Sequence, residues 1–446
     1  MTNKEYLGLA LPFVISTVTQ PLLGAVDTAV IGRLDDPAYI GGIAVGAVIF
    51  NTMYWLFGFL RVSTSGFSAQ SLGSDREEDF YLSYMRPLLW AIVIGCLFIV
   101  FQGPIKNLAW MIYKPETMVM RHASTYYDVL IWGAPMVLLG YVNLGWLMGR
   151  KKVKASMWLQ ISSNVLNILL DLYFVFQLKM GVGGVAAATL IAQAYSFILG
   201  SALILLNISP KHMWRYRGLA FESSSMQKML TVNSDLMIRT LCLLIMTNMF
   251  IAKGAAFGTL VLASNALIYQ IQYVISYIYD GFANASSVFA GKYLGASDRK
   301  GLMQVFKISN RYAFGLGFII TMLLVIFQKS LLGFFTTMSD VIEMSSRYYF
   351  WLFLFTNVIG IGMIYYGIFT GCTYTAPIRN SMIVALAVFV IAYFIGTQLY
   401  GNHGLWLAFV LFSLTRSVVL YMYRNRLLER LFFEPDMKKN SRGVRV

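Results

Sequence analysis

Apolar runs of about twenty residues or more, separated by short polar joints, recur from one end of the chain to the other. In hydrocarbon every backbone N–H and C=O must be bonded within the chain, so runs of this length restrict the fold to membrane-crossing helices. About 20 residues of helix cover the roughly 30 Å of a bilayer interior. The runs fall at 7–31, 43–68, 84–105, 124–148, 157–178, 184–206, 232–253, 258–289, 308–330, 347–370, 381–400 and 404–423, predicting twelve spans. The eighth is long enough to hold a kink. The first, from MTNKEYLGLALPFVISTVTQPLLG, has no convincing cleavage site and reads as a retained helix. With 58% hydrophobic and 12% charged residues, the chain is too apolar for a soluble domain, a disordered region or a disulfide scaffold.

Charge placement gives the orientation. The chain has 35 Lys and Arg against 20 Asp and Glu. Twelve spans put both termini on one side, and that side collects 23 basic residues, including Arg150, Lys151, Lys152 and Lys154; the other side has eight. Basic residues accumulate in cytoplasmic joints, so both termini are expected in the cytoplasm, with the chain in the cell's inner (plasma) membrane. The basic tail 424–446 reads as an anchor to anionic membrane lipids, not as a nucleic-acid contact. Cys96, Cys242 and Cys372 lie inside apolar runs as small packing residues. No CxxC, HExxH or phosphate-binding GxxxxGK[ST] motif occurs, and the three histidines are scattered, so neither metal, cofactor nor enzyme chemistry is expected.

The chain also repeats itself. SAQSLGSDR at 68–76 returns as AGKYLGASDR at 290–299, with their Leu-Gly pairs 222 residues apart. Gly140, Gly145 and Gly149 meet Gly362, Gly367 and Gly371 at the same offset, and GVGGVAAATLIAQ from Gly181 resembles GNHGLWLAFVLFS from Gly401. A duplication of six spans leaves both copies in one orientation, so the halves are related by an axis along the membrane normal. The expected domains are an N-terminal lobe at 1–206, a cytoplasmic linker at 207–231, a C-terminal lobe at 232–423 and the tail at 424–446. Two facing lobes would enclose a cavity reached from one side at a time.

Ionisable groups in hydrocarbon are costly and mark functional candidates. Asp27 follows Pro21 by six residues, and a proline there permits a bend whose state depends on the acid's charge. In NVLNILLD, spacings of three and four put Asn164, Asn167 and Asp171 on one helix face. Counted along their helices at 1.5 Å per residue, Asp27, Asn167, Asp171 and Thr189 reach a common level in the outer half of the membrane. Neighbouring buried carboxylates favour keeping a proton, and their titrations couple. In the second half, Asp235 and Arg239 are four apart, suiting a same-face ion pair or gate. Asp280 is a candidate cavity-facing acid with Gly58 at the equivalent place in the first half. Arg61, within a span, is a candidate to neutralise one of these acids. Met246, Phe250 and Tyr269 are nominated as cavity walls, where aromatic faces attract organic cations.

ALPFVISTVTQPLLGAVDTAVIGRLDDPAYIGGIAVG, the SAQSLGSDR joint and NVLNILLDLYFVFQLKMGVGGVAAAT resemble the multidrug and toxic compound extrusion (MATE) family, specifically its DinF-like branch. The resemblance covers nearly the whole chain. It implies an all-α polytopic membrane protein, with twelve transmembrane helices in two pseudo-symmetric six-helix lobes arranged as a V. It also implies export of amphipathic, mainly cationic, drug-like compounds by antiport against protons or sodium ions. The family's first-helix acid matches Asp27, its fifth-helix Asn and Asp match Asn167 and Asp171, and its sixth-helix Thr matches Thr189. Sodium-coupled relatives carry an acid in the tenth helix, which this chain lacks, so H+ coupling in a monomer is the expectation and Na+ the alternative. A flippase for lipid-linked precursors is the other alternative.

Overall fold

The computed structural model describes the backbone of residues 1–31, 37–74 and 76–432; the side chains of 20–31, 37 and 430–432 lie outside the description. Every regular element among the described residues is helical. The helices are α1 (Asn3–Ile31), α2 (Pro37–Phe57), α3 (Phe59–Gly73), α4 (Glu77–Val100), α5 (Gln102–Tyr113), α6 (Thr117–Leu130), α7 (Ala134–Gly149), α8 (Val153–Leu172), α9 (Gly181–Leu205), α10 (Pro210–Arg215) and α11 (Arg217–Ala220). The remainder are α12 (Ser223–Ala256), α13 (Thr259–Gly295), α14 (Arg299–Ile326), α15 (Gln328–Phe335), α16 (Ser339–Tyr348), α17 (Phe350–Gly371), α18 (Ala376–Tyr400) and α19 (Asn402–Phe432).

Among the described residues eleven helical stretches are long and apolar enough to cross a membrane, and they coincide with the second to twelfth runs of the sequence. The first run corresponds to α1, a helix of 29 residues. Two of the stretches are compound. α2 passes into α3 at Gly58, and α6 passes into α7 through a 3₁₀ turn, Ile131–Gly133. Pro135 in the first turn of α7 has no N–H to offer the preceding turn, which accounts for that second break. The eighth run forms the unbroken 37-residue α13. Phe314, Phe318, Met322 and Val325 along α14 are exposed at helical spacing, an apolar stripe suited to lipid.

The chain divides into two compact units, Met1–Thr17 with Ser234–Val446, and Val18–Asn233. The opening turns of α1 therefore pack with helices of the second half of the sequence. Tyr6 shares a 2.7 Å hydrogen bond with the Ser286 hydroxyl, and the Thr17 hydroxyl donates to the Tyr277 carbonyl at 2.8 Å. Gly281 leaves room for the Val14 backbone, which a Cβ would overlap.

The repeat is visible in how helices touch. In one unit α7 lies on α3, where a Cβ on Gly145 would overlap the Arg61 carbonyl and one on Gly149 the Ser65 carbonyl. In the other unit α17 lies on α13, where a Cβ on Gly367 would overlap the Ala283 carbonyl and one on Gly371 the Ser287 carbonyl. All four pairs are related by the 222-residue offset read from the sequence. Glycine is needed at these positions because two backbones approach within side-chain distance. The LGASDR joint also has a local cause: Ser297 adopts a left-handed conformation, and Asp298 Oδ1 accepts from the Gly301 N–H at 2.8 Å to cap α14.

Candidate functional site

Three of the four residues proposed for coupling lie on α8 and α9, neighbouring helices joined by a short loop and therefore antiparallel. Asn167 and Asp171 point inward from α8, and Asp171 is only 2% exposed. The Asn167 amide donates to Asp171 Oδ2 at 3.0 Å, the one-turn contact that their spacing allows. The Ser163 hydroxyl donates to the Ala192 carbonyl at 3.0 Å, and Gly184 faces Phe174. These contacts set the register and put Thr189 at the height of Asn167. The Thr189 hydroxyl itself donates to Val185, one turn back on its own helix, at 3.0 Å. Asn164, also on this α8 face, is half-buried. The side chains of Asp27 and Pro21 lie outside the described residues.

One feature of this site had no clear signal in the sequence. Directly after Asp171, α8 widens into a π-helical turn, Tyr173–Gln177, and the Leu178 N–H donates to the Tyr173 carbonyl at 3.1 Å. Such turns are rare and occur frequently at functional sites. A cluster of phenols within the same unit was also missed: Tyr54 of α2 lies near Tyr126, Tyr141 and the Gln193 side chain. With 27 tyrosines in the chain, composition offered no way to select these. Arg61 of α3 lies near Tyr141 and, among the described residues, is within ion-pairing distance of no carboxylate.

The second unit corrects two expectations. Asp235 does not pair with Arg239. Its carboxylate, 2% exposed, accepts from Arg379 Nη1 of α18 at 2.8 Å and from the Thr375 hydroxyl at 2.7 Å. Arg239 turns instead to the face of Tyr366 on α17, 4.2 Å from the ring centre. A fixed hydrogen-bonded pair between helices outweighs an i,i+4 contact that adds only a few tenths of a kcal/mol, about 0.2–0.5. Met246 and Phe250 are not cavity walls here. Phe250 packs 4.9 Å from Trp406 and 5.4 Å from Phe409 in ring-centre distance, and both nominated side chains are buried. Tyr269, nominated with them, shares a 3.1 Å hydrogen bond with Thr247. Asp280 is half-buried on α13 and accepts from the Asn284 amide at 3.1 Å.

Among the described residues no group of three or more His, Cys, Asp or Glu is arranged to hold a metal ion. The described site consists of buried polar side chains held inside apolar helices.

Comparison with known proteins agrees with the repeat and the fold. The MatE family model matches the chain twice, over residues 12–173 and 236–396. DNA damage-inducible protein F of Escherichia coli (strain K12) is 32% identical over 426 residues, covering 94% of this chain and 91% of that protein. The probable multidrug resistance protein NorM of Photorhabdus laumondii is 23% identical over 432 residues, covering 94% of each chain. A solved MOP superfamily transporter from Pyrococcus furiosus superposes with a TM-score of 0.85 over 96% of both chains, at 18% identity. The chain belongs to the MatE family and is a secondary transporter.

Proposed function

We propose that this transporter is a proton-driven exporter of amphipathic, mainly cationic organic compounds, working by alternating access in the inner (plasma) membrane with both termini cytoplasmic. The observation that carries the coupling role is Asp171, a carboxyl group buried in a membrane-crossing helix with Asn167 hydrogen-bonded to it. Ionisable side chains inside membrane-crossing helices are costly and mark proton or ion pathways, so such an acid is suited to carry the coupling proton as access switches from one side of the membrane to the other. Asp27, Asn167, Asp171 and Thr189 form the coupling set. Protonation from the outside at Asp27 alters the bend of α1 near Pro21 and releases the substrate. Proton loss to the cytoplasm restores the substrate-accepting form. Substrate and proton are linked because each favours a different state of the carrier.

The 23-to-eight distribution of basic residues supports the orientation. The chain's division into sequence repeats at 1–206 and 232–423 is part of the proposal, supported by the two family-model matches, with the opening turns of α1 packed in the compact unit of the second repeat.

The test is efflux of a cationic dye from vesicles of defined orientation, with proton and sodium gradients imposed separately. A proton gradient drives efflux by the wild type; Asp27→Asn and Asp171→Asn reduce it to the level of protein-free vesicles while remaining in the membrane as monodisperse protein. Undiminished proton-driven efflux by Asp171→Asn removes that residue from the mechanism. A response to sodium alone overturns proton coupling.

A further inference from the structure

The unit formed by Met1–Thr17 and Ser234–Val446 contains a charge that the coupling scheme does not use. Arg416, near the middle of α19, is only 5% exposed, and its Nε and Nη2 atoms are buried without a hydrogen-bond partner. Arg239 of α12 is its neighbour on α17. The two side chains flank one stretch of α17. At Gly362 a Cβ would overlap the Ser417 hydroxyl and lie 3.3 Å from Arg416 Nε, and one turn on Tyr366 offers its ring face to Arg239 at 4.2 Å. Among the described residues neither arginine has a carboxylate within ion-pairing distance. Asp235, one turn from Arg239, is committed to Arg379 and Thr375.

A guanidinium does not discharge by losing a proton in a protein, so burial leaves it charged. A buried cation serving only structure is paired, because leaving it unpaired is strongly destabilising. Two such groups side by side add like-charge repulsion. Nor does the ancestral scaffold require them. At the 222-residue offset Gly362 has its counterpart in Gly140, but Arg239 corresponds to Thr17, and at the 220-residue offset that aligns Gly181 with Gly401, Arg416 corresponds to Ser196. Two guanidinium forks and the Tyr366 phenol gather hydrogen-bond donors with no carboxylate among the described residues to receive them, the chemistry that recognises an oxyanion.

We propose that Arg239, Arg416 and Tyr366 form an anion-recognition site in this unit, which takes the carboxylate or phosphate group of an amphiphile. The half-buried Arg239 makes first contact, and Arg416 completes the pairing once the anion has displaced the packing over it. The site is separate from the carboxyl groups of the coupling set, and anion binding is measured at equilibrium without any gradient. Its failure and the failure of proton coupling are therefore distinguishable.

The experiment uses purified full-length protein in an uncharged maltoside detergent, with dodecanoate, dodecyl phosphate, dodecanol and dodecyltrimethylammonium as probes followed by calorimetry. The wild type is expected to bind the two anions at least about tenfold more tightly than dodecanol. Arg416→Met and Arg239→Gln each remove that preference and leave cation binding unchanged. Arg416→Lys, with charge but no fork, retains part of it. Because Arg416 carries an unpaired charge, probe-free Arg416→Met melts no lower than the wild type. Wild-type anion affinity in both variants overturns the proposal, as does a wild type that binds dodecanol as well as the anions. A lowered probe-free melting point in Arg416→Met with anion binding intact makes Arg416 a packing residue and also overturns it. Repeating the titration in nanodiscs with and without phosphatidylglycerol identifies the source of the anion. Competition by that lipid assigns the site to a lipid phosphate, and unchanged affinity assigns it to a soluble amphiphile.

Discussion

Replacing Gly367 by alanine isolates the contact on which the duplicated architecture rests. An added Cβ would overlap the carbonyl group of Ala283 in α13, and one on Gly145 would overlap the carbonyl of Arg61 in α3. In a helix interior Gly→Ala by itself gains about 1 kcal/mol through propensity. Overpacking costs about 1–3 kcal/mol, and the upper end applies because a backbone carbonyl has no rotamer by which to move away. The net expectation is a loss of about 1–2 kcal/mol at Gly367 and at Gly145. Gly140, on the same helix as Gly145, has nothing within 4 Å of where its Cβ would lie. Gly140→Ala should therefore keep the propensity gain of about 1 kcal/mol. The three variants thus differ in sign, which protects the comparison from the irreversible unfolding common in large proteins. The assay is thermal unfolding in one detergent at one scan rate. Gly145→Ala and Gly367→Ala should melt several degrees below the wild type by similar amounts, with Gly140→Ala at or above it. Additive losses are expected in the Gly145→Ala/Gly367→Ala double variant, because the two contacts lie in different compact units. A Gly367→Ala protein as stable as the wild type, or a Gly140→Ala protein as damaged as Gly145→Ala, would refute the reasoning.

Two further outcomes follow from fixed contacts. Asp235→Ala leaves Arg379 without its partner and should cost about 2–3 kcal/mol, less than a fully buried pair because the Arg379 side chain is 34% exposed. A double-mutant cycle should show coupling of Asp235 to Arg379 above about 1 kcal/mol and none to Arg239; the reverse pattern would restore the i,i+4 pair. Arg86 of α4 donates to the Leu219 carbonyl at 2.9 Å and pairs with Glu222 at 3.2 Å, fastening the segment that holds α10 and α11. Arg86→Ala should speed amide exchange across 210–222, measured by mass spectrometry. Hydroxyls of Ser225 and Ser224, and then Arg86, hold the Glu222 carboxyl below its ordinary 4.5. Its fastening is therefore complete above pH 4.5 and lost as the pH falls through the lowered value, so wild-type protection should weaken only on that acid side. Protection that weakens instead near neutral pH would contradict the assignment to Glu222.

What the sequence made legible was whatever a single helix must satisfy alone. A run of twenty apolar residues admits one backbone solution in hydrocarbon, so runs two to twelve reappear as helical spans. The glycine register was legible for a related reason. Gly145, Gly149, Gly367 and Gly371 each meet a carbonyl of a neighbouring helix, and no other residue fits. The Asn167–Asp171 bond was legible because it joins two residues one turn apart. Partnerships across helices depend on the rotation and tilt of each helix about its axis, which hydropathy does not encode. Asp235 shows the consequence: its neighbour in sequence is Arg239, yet it is held by Arg379, 144 positions away. Arg416 shows it more sharply. In sequence it is one of four arginines within or at the edge of a span, indistinguishable from Arg239 in kind. Only when α12, α17 and α19 are assembled do two cations share the same few ångströms of α17 without an acid between them. Hydrophobic packing chooses those rotations over whole helices, and it imposes on single charges a cost that no local pattern records. The residues where that cost stays uncompensated are accordingly the ones from which function is best read.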